Sequence, residues 1–316
     1  MSLSRSPTLS IIVTVFNKAA YLPDTLASLF AQTDDMPAGH SVEYIFVDDL
    51  SSDNSLGVIE SLTQGMENVT IIRNTTNVGP SIRLNQGAKL AKGAYLQFFD
   101  SDDIMPRGTS AFLYRLLTEH NADMVYGRWE KTNETGAELL SRKVNQSAKI
   151  HVSDTPLITM LKDSFSRMTF MTRAETFVQS GGADERIFIQ DESIPIRLAS
   201  VARRLVTLEA SVLLVPRQEV TLSSNKSQLN HDRFLANALH MEKPRLDGRE
   251  RQLLYRRSVS AFWKQIRQDD GISSVFSWIF IYYIRTRIHK ERPSAGVMNM
   301  MRAYMQEIEG VRRVAS

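Results

Sequence analysis

The sequence predicts an α/β protein with a mostly parallel central sheet, followed by a mainly helical C-terminal region. Two features of the chain point to this class. In the first 120 residues, short apolar segments alternate with segments whose apolar residues recur every three or four positions. Acidic or polar residues follow most of the short apolar segments. Strands that alternate with helices form parallel sheets through right-handed crossovers, and ligands bind at the carboxyl ends of such strands.

Four strands and four helices alternate in this first part. The strand segments are rich in β-branched or aromatic residues, and the helix segments have the apolar spacing of an amphipathic helix. Pro80 is favourable at the start of the third helix, where an N–H would have no helical partner. In chain order, the predicted elements are strand 9–15, helix 21–32, strand 42–47, helix 55–65, strand 69–72, helix 80–91, strand 95–99 and helix 109–120.

Beyond residue 130 the pattern is weaker. The polar residues from 131 to 145 predict loops, and from about residue 227 onward only helices are predicted. Between these regions, the predicted elements are helix 156–162, helix 174–179, helix 191–203, strand 205–208 and strand 212–215.

The composition excludes several protein classes. The 316 residues include no cysteine, so neither a disulfide scaffold nor a thiolate metal site is expected. The chain has no apolar run of about 18 residues and no secretory signal pattern at its N-terminus, and we therefore expect a cytoplasmic protein. The net charge of +3 is too small to indicate a nucleic-acid partner by itself, and none is expected.

Positive charge is concentrated towards the C-terminus. Residues 245–316 carry 14 Lys and Arg against 7 Asp and Glu, whereas the remaining residues carry 24 against 28. Within this region, the apolar run 275–284 is followed by the basic residues Arg285, Arg287, Lys290 and Arg292. Apolar segments beside basic residues are typical of helices in a membrane interface, so peripheral contact of residues 272–292 with the inner membrane face is expected. The alternative is packing against the preceding α/β part of the chain or against a second subunit of a homo-oligomer.

Three aspartates follow the fourth strand: Asp100, Asp102 and Asp103. Carboxylates that lie this close repel one another unless a cation lies between them. Mg²⁺ and Mn²⁺ prefer oxygen ligands and complete their shells with waters and substrate phosphates. The three residues are therefore candidate metal ligands. The alternative is a turn whose aspartates cap the next helix.

Other polar residues follow strands or open helices. Asp48 and Asp49 end the second strand, where a carboxylate can accept a hydrogen bond from a nucleobase or can cap a helix. Residues 77–79 open a helix that carries Arg83, and a helix N-terminus with an arginine suits an anion. Asp191 opens a later helix, either as a catalytic base or as an acid favoured by the helix dipole.

In this order and at this spacing, the motifs resemble those of family-2 glycosyltransferases, which have the GT-A fold. The resemblance is dense over about residues 8–130 and continues as single motifs to about residue 200. It implies a Rossmann-like GT-A catalytic domain over 1–220 and a helical, basic region over 221–316. Within this domain, residues from about 8 to 130 are expected to bind the nucleotide sugar, and residues from about 130 to 220 are expected to form the acceptor side. The matching segments are 9–17, 26–33, 47–53, 77–79, 83–85, 93–103 and 190–191.

The resemblance also implies an activity and a set of site residues. The expected enzyme moves a hexosyl or N-acetylhexosaminyl group, with inversion, from a nucleotide sugar to a hydroxyl of a glycan or lipid-linked acceptor in cell-envelope polysaccharide synthesis. UDP is the expected nucleotide, and the resemblance places Asp49 where the N–H of the base is bound, with Asp48 beside it. Asp191 is the implied general base, and Asp100, Asp102 and, as an extra ligand, Asp103 hold Mn²⁺ or Mg²⁺. The residues placed at the nucleotide sugar are Thr14, Phe16, Asn17, Asp48, Asp49, Asn77, Gly79, Arg83, Asp100 and Ser101.

Three residues depart from the family pattern. Phe16 replaces the more usual Tyr, so its ring can stack but cannot donate a hydrogen bond. Leu50 replaces a frequent Gly, which is expected to change the turn. Gln190 stands where an acid often precedes the base. None of these changes removes a required charge, so an active enzyme is expected.

The residues alone leave two other functions open. The first is a catalytically silent nucleotide- or glycan-binding protein on the same fold. The second is a nucleotidyltransferase, which would usually carry a Gly-rich basic loop after the first strand. Residues 16–20 stand at that place here and do not have this composition.

Overall fold

An eight-stranded sheet forms the centre of the molecule. The computed structural model describes residues 8–163, 167–217, 225–271, 277–288 and 293–313. The strand order across the sheet is β3-β2-β1-β4-β7-β5-β8-β6. The strands are β1 (Leu9–Val15), β2 (Val42–Asp48), β3 (Val69–Arg73), β4 (Tyr95–Asp100), β5 (Met124–Thr132), β6 (Ile150–Ser153), β7 (Phe170–Arg173) and β8 (Leu205–Pro216).

Helices cover both faces of this sheet and make up the described C-terminal region. Those of the first 200 residues are α1 (Leu22–Asp35), α2 (Ser55–Leu62), α3 (Pro80–Leu90), α4 (Thr109–Glu119), α5 (Gly136–Ser141), α6 (Pro156–Lys162), α7 (Ala174–Ser180), a 3₁₀ turn (Gln190–Glu192) and α8 (Ile194–Ala199). The C-terminal helices are α9 (Lys226–Met241), α10 (Gly248–Asp270), α11 (Trp278–Ile288) and α12 (Ala295–Glu307). The predicted α/β class with a helical C-terminal region is confirmed.

The register of the parallel strands brings the candidate residues to one edge. β1 pairs in parallel with β2 and with β4, and β2 pairs in parallel with β3. Thr14 lies opposite Asp100, and Val15 lies opposite Asp48. The carboxyl ends of β1, β2 and β4 therefore converge, as expected for a sheet of this kind.

The second half of the sheet departs from the prediction. β7 runs antiparallel between β4 and β5, and β6 runs antiparallel to β8. Neither β6 nor β7 was predicted, because a segment of four residues is too short to establish a period. The loop predicted over 131–145 was partly wrong, since it holds the end of β5 and the short helix α5.

Two other elements differ from the predicted bounds. The strands predicted at 205–208 and 212–215 form the single strand β8, which pairs with β6 through its first four residues and with β5 along its length. The helix predicted over 191–203 divides at Ser193 into the 3₁₀ turn and α8. Pro195 lies in the first turn of α8, where a proline is favourable.

Alternating side chains of β1 serve the two faces of the sheet. Ile11 and Val13 join a buried cluster with α1, α2 and α4, whereas Ile12 joins a second cluster with α3, α6, α7 and α8. A third cluster lies among the C-terminal helices and includes Tyr255 and Trp263 of α10. Within the described ranges, no helix is both long and apolar enough to cross a membrane. The domain boundary predicted at residue 220 lies outside the described residues.

Candidate active site

The aspartates after β4 lie among two cations and one amide. Lys18 forms an ion pair with Asp102, and Arg167 lies 3.5 Å from Oδ2 of Asp103. The side-chain amide of Gln190 donates to Oδ1 of Asp100 at 3.1 Å. The segment that contains the predicted base thus contacts the aspartate motif directly.

Crowding of these carboxylates perturbs their ionisation. Burial, together with the charge of Asp102, raises the pKa of Asp100 to about 6. Burial and the charges of Asp102 and Asp100 hold the pKa of Asp103 well above its usual range. Both shifts have the sign expected when a buried carboxylate lies beside like charges.

The cluster of Asp100, Asp102 and Asp103 can bind a divalent cation only if the substrate supplies some of the ligands of that cation. Within the described ranges, no group of three acidic or histidine side chains is arranged to hold an ion by itself. The role of Asp103 as an extra ligand beside Asp100 and Asp102 stays a prediction; its side chain is 1% exposed, and its Oδ2 atom lies 3.5 Å from Arg167. Mg²⁺ or Mn²⁺ held by one or two carboxylates and by substrate phosphates is compatible with this geometry, and an added cation would relieve the repulsion described above.

Asp191 lies in the 3₁₀ turn that precedes α8. Its Oδ1 atom is buried and has no hydrogen-bond partner among the described residues. Burial, and next the charge of Asp100, raise the pKa of Asp191 well above its usual range. A carboxylate with an unused oxygen and a raised pKa is chemically suited to accept a proton.

Helix α9 fixes the backbone on both sides of Asp191. Oδ2 of the fully buried Asp232 accepts a hydrogen bond from the backbone N–H of Ile189 at 2.7 Å. One residue after Asp191, Glu192 receives two hydrogen bonds from Arg233, at 2.6 and 3.0 Å. This paired geometry restricts both position and rotation, so the C-terminal region helps to position the candidate base.

Asp49 and Arg83 bind each other. The carboxylate of Asp49 accepts from the backbone N–H groups of Val78 and Gly79, at 2.9 and 2.8 Å, and from Nε of Arg83 at 2.7 Å. Arg83 is buried and also donates to the carbonyl of Thr76. In this arrangement both side chains stabilise the loop before α3.

The two other predicted residues of that loop, Asn77 and Gly79, are equally constrained. The side-chain amide of Asn77 donates to the backbone carbonyl of Asp49 at 2.8 Å. Gly79 has φ 98°, and a Cβ atom there would lie 2.8 Å from the ring of Phe188. Glycine is therefore required both by the backbone conformation and by the close approach of that ring.

Asp48 differs from its neighbour. It is 1% exposed, and its Oδ2 atom accepts from the backbone N–H of Ser51 at 3.1 Å. Its Oδ1 atom is buried without a hydrogen-bond partner among the described residues. An unsatisfied buried acceptor is costly, and Asp48 is thus better placed than Asp49 to receive an additional donor.

The loops after β1 and β2 are joined through Asn17. Its Oδ1 atom accepts from the backbone N–H of Ser52 at 2.7 Å, and its own backbone N–H donates to Oγ of Ser51 at 3.0 Å. Leu50 keeps a left-handed backbone, with φ 65°, although it has a side chain. The effect of Leu50 on the turn stays a prediction, and the energetic cost of a left-handed backbone at a residue with a side chain is about 1–3 kcal/mol.

The remaining predicted residues also lie at this edge. Phe16 is 45% exposed and Leu50 is 46% exposed, which leaves two large apolar side chains available to a ligand. Thr14 is half-buried beside Asp100 in the sheet register. Ser101 is buried, and its carbonyl accepts a hydrogen bond from Thr25 at 3.4 Å.

Sequence reasoning missed the cations of this region. Arg167 stacks over the ring of Trp129, with 4.7 Å between the guanidinium carbon and the ring centroid, and nothing in its sequence context signals that role. Arg312 donates to the carbonyl and the side-chain oxygen of Asn77, at 2.9 and 2.5 Å. Lys18 lies three residues after the first predicted strand and next to Asn17, and this position was the signal that could have identified it.

Similar proteins were found by sequence and by structure. The profile described as glycosyl transferase family 2 matches residues 10–183. The poly(ribitol-phosphate) beta-glucosyltransferase of Bacillus spizizenii is 37% identical over 131 residues, which are 40% of this chain and 20% of that protein. The chain spans 20%, 42% and 64% of the lengths of the first three curated relatives it matches.

Solved structures share the fold. The structure of Staphylococcus aureus TarS 1–349 in complex with UDP-GlcNAc has a TM-score of 0.65, with 18% identity over 98% of this chain and 99% of that one. The Pyrobaculum calidifontis mannosyltransferase PcManGT, in complex with GDP-Man and Mn²⁺, has a TM-score of 0.61, with 13% identity over 96% and 86%. With the profile match over more than half of its length, the chain belongs to glycosyl transferase family 2.

Proposed function

We propose that this protein transfers a sugar from a UDP-sugar to an acceptor hydroxyl, with Asp191 as the general base. The observation that carries this proposal is the electrostatic linkage between Asp191 and the aspartate motif. Burial raises the pKa of Asp191, the charges of Asp100 and Asp102 raise it further, and the side-chain amide of Gln190 donates a hydrogen bond to Asp100. These contacts support a single site that contains the candidate base Asp191 and the carboxylates of Asp100 and Asp102.

The reaction is a single displacement. The acceptor oxygen forms a bond to the anomeric carbon while the bond from that carbon to the diphosphate oxygen breaks on the opposite face, which inverts the configuration. The hydroxyl proton moves to a carboxylate oxygen of Asp191. General base catalysis of this kind contributes about 10²–10⁴ in rate. A raised pKa strengthens the base as long as it stays ionised at the working pH.

Asp100 and Asp102 are the proposed ligands of a divalent metal, Mn²⁺ or Mg²⁺. When bound, such an ion offsets the negative charge that develops on the leaving diphosphate. Lys18 lies against Asp102 and offers a second positive charge on the same side of the site. Asp103 is proposed to act only through Arg167, which its buried carboxylate holds beside the cluster.

A uridine base is proposed to bind at the ends of β1 and β2. Phe16 offers an exposed ring for stacking. The unpartnered Oδ1 of Asp48 is an acceptor for the pyrimidine N–H, a role that the resemblance had assigned to Asp49. The TarS relative whose structure contains UDP-GlcNAc supports the choice of UDP, although the fold also accommodates GDP-Man in PcManGT.

The proposed acceptor is a glycan or lipid-linked chain of the cell envelope. Its support is the name of the Bacillus relative, which acts on poly(ribitol-phosphate).

Peripheral contact with the cytoplasmic face of a membrane is proposed through α11. Ile279 is buried and Trp263 stacks on Tyr283, so one side of α11 packs on α10. On the other side, Trp278 and Ile288 are exposed by 52% and 71%. Residues 272–276 and 289–292 of the predicted segment lie outside the described residues.

The test of the proposed donor compares nucleotides. In a thermal-shift assay with Mn²⁺, UDP should raise the melting temperature more than equimolar GDP, since a ligand that binds only the folded state stabilises it. UDP-sugar hydrolysis in the same buffer separates an enzyme from a silent binding protein. Equal shifts for UDP and GDP would contradict the assignment of the base, and binding without any turnover would favour the silent protein.

A further inference from the structure

A small cavity lies behind the segment that leads to Asp191. It has a volume of about 40 Å³ and is bounded by the loop after α7, by α8 and by α9. Ser193, two residues after Asp191, forms part of its wall. The polar residues that line it are Asp184, Arg186, Ser193, Arg197, His240 and Lys243.

Positive charge exceeds negative charge in this lining. Asp184 is the single acid among the lining residues, and it pairs with both Arg186 and Arg197, at 2.7 and 3.3 Å. Lys243 has no acidic partner within ion-pair distance among the described residues, and burial together with the charge of Arg197 lowers its pKa. The nearby Glu242 forms an ion pair with Arg302. One carboxylate therefore faces three cations.

His240 adds a polar group without a partner. Its side chain is 3% exposed, and its Nε2 atom is buried with no hydrogen-bond partner among the described residues. Burial, assisted by the charges of Lys243 and Arg197, lowers the pKa of His240 to about 3, so the ring is neutral at physiological pH. A neutral imidazole adds no charge to the lining, so the charge of the cavity is determined by Asp184, Arg186, Arg197 and Lys243.

We propose that this cavity binds an oxyanion of the phosphate class, which accepts hydrogen bonds from Lys243 and Arg186. The charge of a phosphate would balance the excess positive charge of the lining. Arg197 contributes charge but few donors, because it already donates to the carbonyls of Gly181 and Gly182. Because Ser193 also lines the cavity, the anion would brace the segment that contains Asp191.

The phosphate has two sources, which calorimetry can separate. The full-length protein is titrated with inorganic phosphate and with glycerol 1-phosphate at constant ionic strength, first alone and then with saturating UDP and Mg²⁺, which occupy the proposed donor site. Binding of inorganic phosphate alone indicates a free-anion site. Binding of glycerol phosphate with equal or higher affinity indicates a phosphate that belongs to a larger substrate. Either result supports the cavity if Lys243 is required.

Lys243→Gln is the variant that decides, and Lys89→Gln, an exposed lysine on α3, is its control. Lys243→Gln should weaken phosphate binding by at least roughly tenfold, the scale of one charge-assisted hydrogen bond, whereas Lys89→Gln should not. If Lys243→Gln does not fold, Arg186→Gln, at a largely exposed side chain, replaces it.

Two results would overturn the proposal. One is that the wild type does not bind phosphate, and the other is that Lys243→Gln, or Arg186→Gln in its place, binds phosphate as tightly as the wild type does. Because UDP binding is measured in the same series, failure of the anion site is distinguishable from failure of the proposed donor site.

Discussion

Removal of a charge from the aspartate motif should stabilise this protein while it damages the site. Asp100→Asn keeps the shape of the side chain and an oxygen that can accept from Gln190. With a folded-state pKa of about 6 against about 3.8–3.9 unfolded, the ionised carboxylate destabilises the folded protein. The difference of roughly 2 units corresponds to about 3 kcal/mol at neutral pH. For a chain of this size, that gain raises the melting temperature by several degrees.

The sign of the pH dependence is part of the prediction. Because the folded-state pKa of Asp100 is raised, ionisation of this carboxyl lowers the stability of the wild type as pH rises from about 4 to about 6, and the variant lacks this contribution. Asp100→Asn should therefore exceed the wild type by the full amount above pH 6 and by nothing below pH 4. Unfolding by urea at pH 7.5 and pH 4, with EDTA present, measures this difference.

The control for this comparison is Asp24→Asn, at an exposed aspartate on α1, which should change stability by at most about 1 kcal/mol. The reasoning fails if Asp100→Asn is no more stable than the wild type at pH 7.5, or if its advantage is the same at both pH values.

Three further outcomes are expected. Asp102→Asn should weaken Mn²⁺-dependent UDP binding by roughly tenfold or more, because it removes a ligand charge; unchanged calorimetric affinity would exclude Asp102 as a ligand. Arg312→Ala should impair turnover through the loop at Asn77, and Arg312→Lys should restore part of it; normal kinetics of the alanine variant would limit Arg312 to a passive contact. The intact protein should sediment with anionic vesicles, and high salt should reduce this binding. Trp278→Ala should weaken the vesicle binding that remains at high salt. A protein that stays in the supernatant at low salt would show that α11 does not bind membranes.

The first half of the fold could be predicted from sequence because local signals agree there. Segments such as 9–15 and 42–47 are buried strands in which most residues are β-branched or aromatic, and polar residues follow each one. The second half offers less. β6 and β7 are four residues long, and their place in the sheet depends on pairing with strands far away in sequence, which no local pattern encodes.

The same limit applies to the site. Aspartates after a strand or at the start of a helix are visible in the sequence, so Asp100 and Asp102, and also Asp191, could be proposed from their positions. The partners of these groups could not. Asp49 and Arg83 are 34 residues apart yet bind each other, and Arg312 reaches Asn77 across 235 residues. Such pairs are determined by tertiary packing. Packing also gives the neighbouring residues Asp48 and Asp49 different hydrogen-bond partners.

The central claim, that Asp191 is the base of a sugar transferase, is tested most directly by one variant and two readouts. Asp191→Asn should bind UDP and Mn²⁺ with wild-type affinity by calorimetry, since the side chain keeps its volume and lies outside the proposed metal ligands. Its acceptor-dependent release of UDP from the UDP-sugar should fall by about 10²–10⁴, the range of general base catalysis. Turnover close to that of the wild type, with binding intact, would contradict the account.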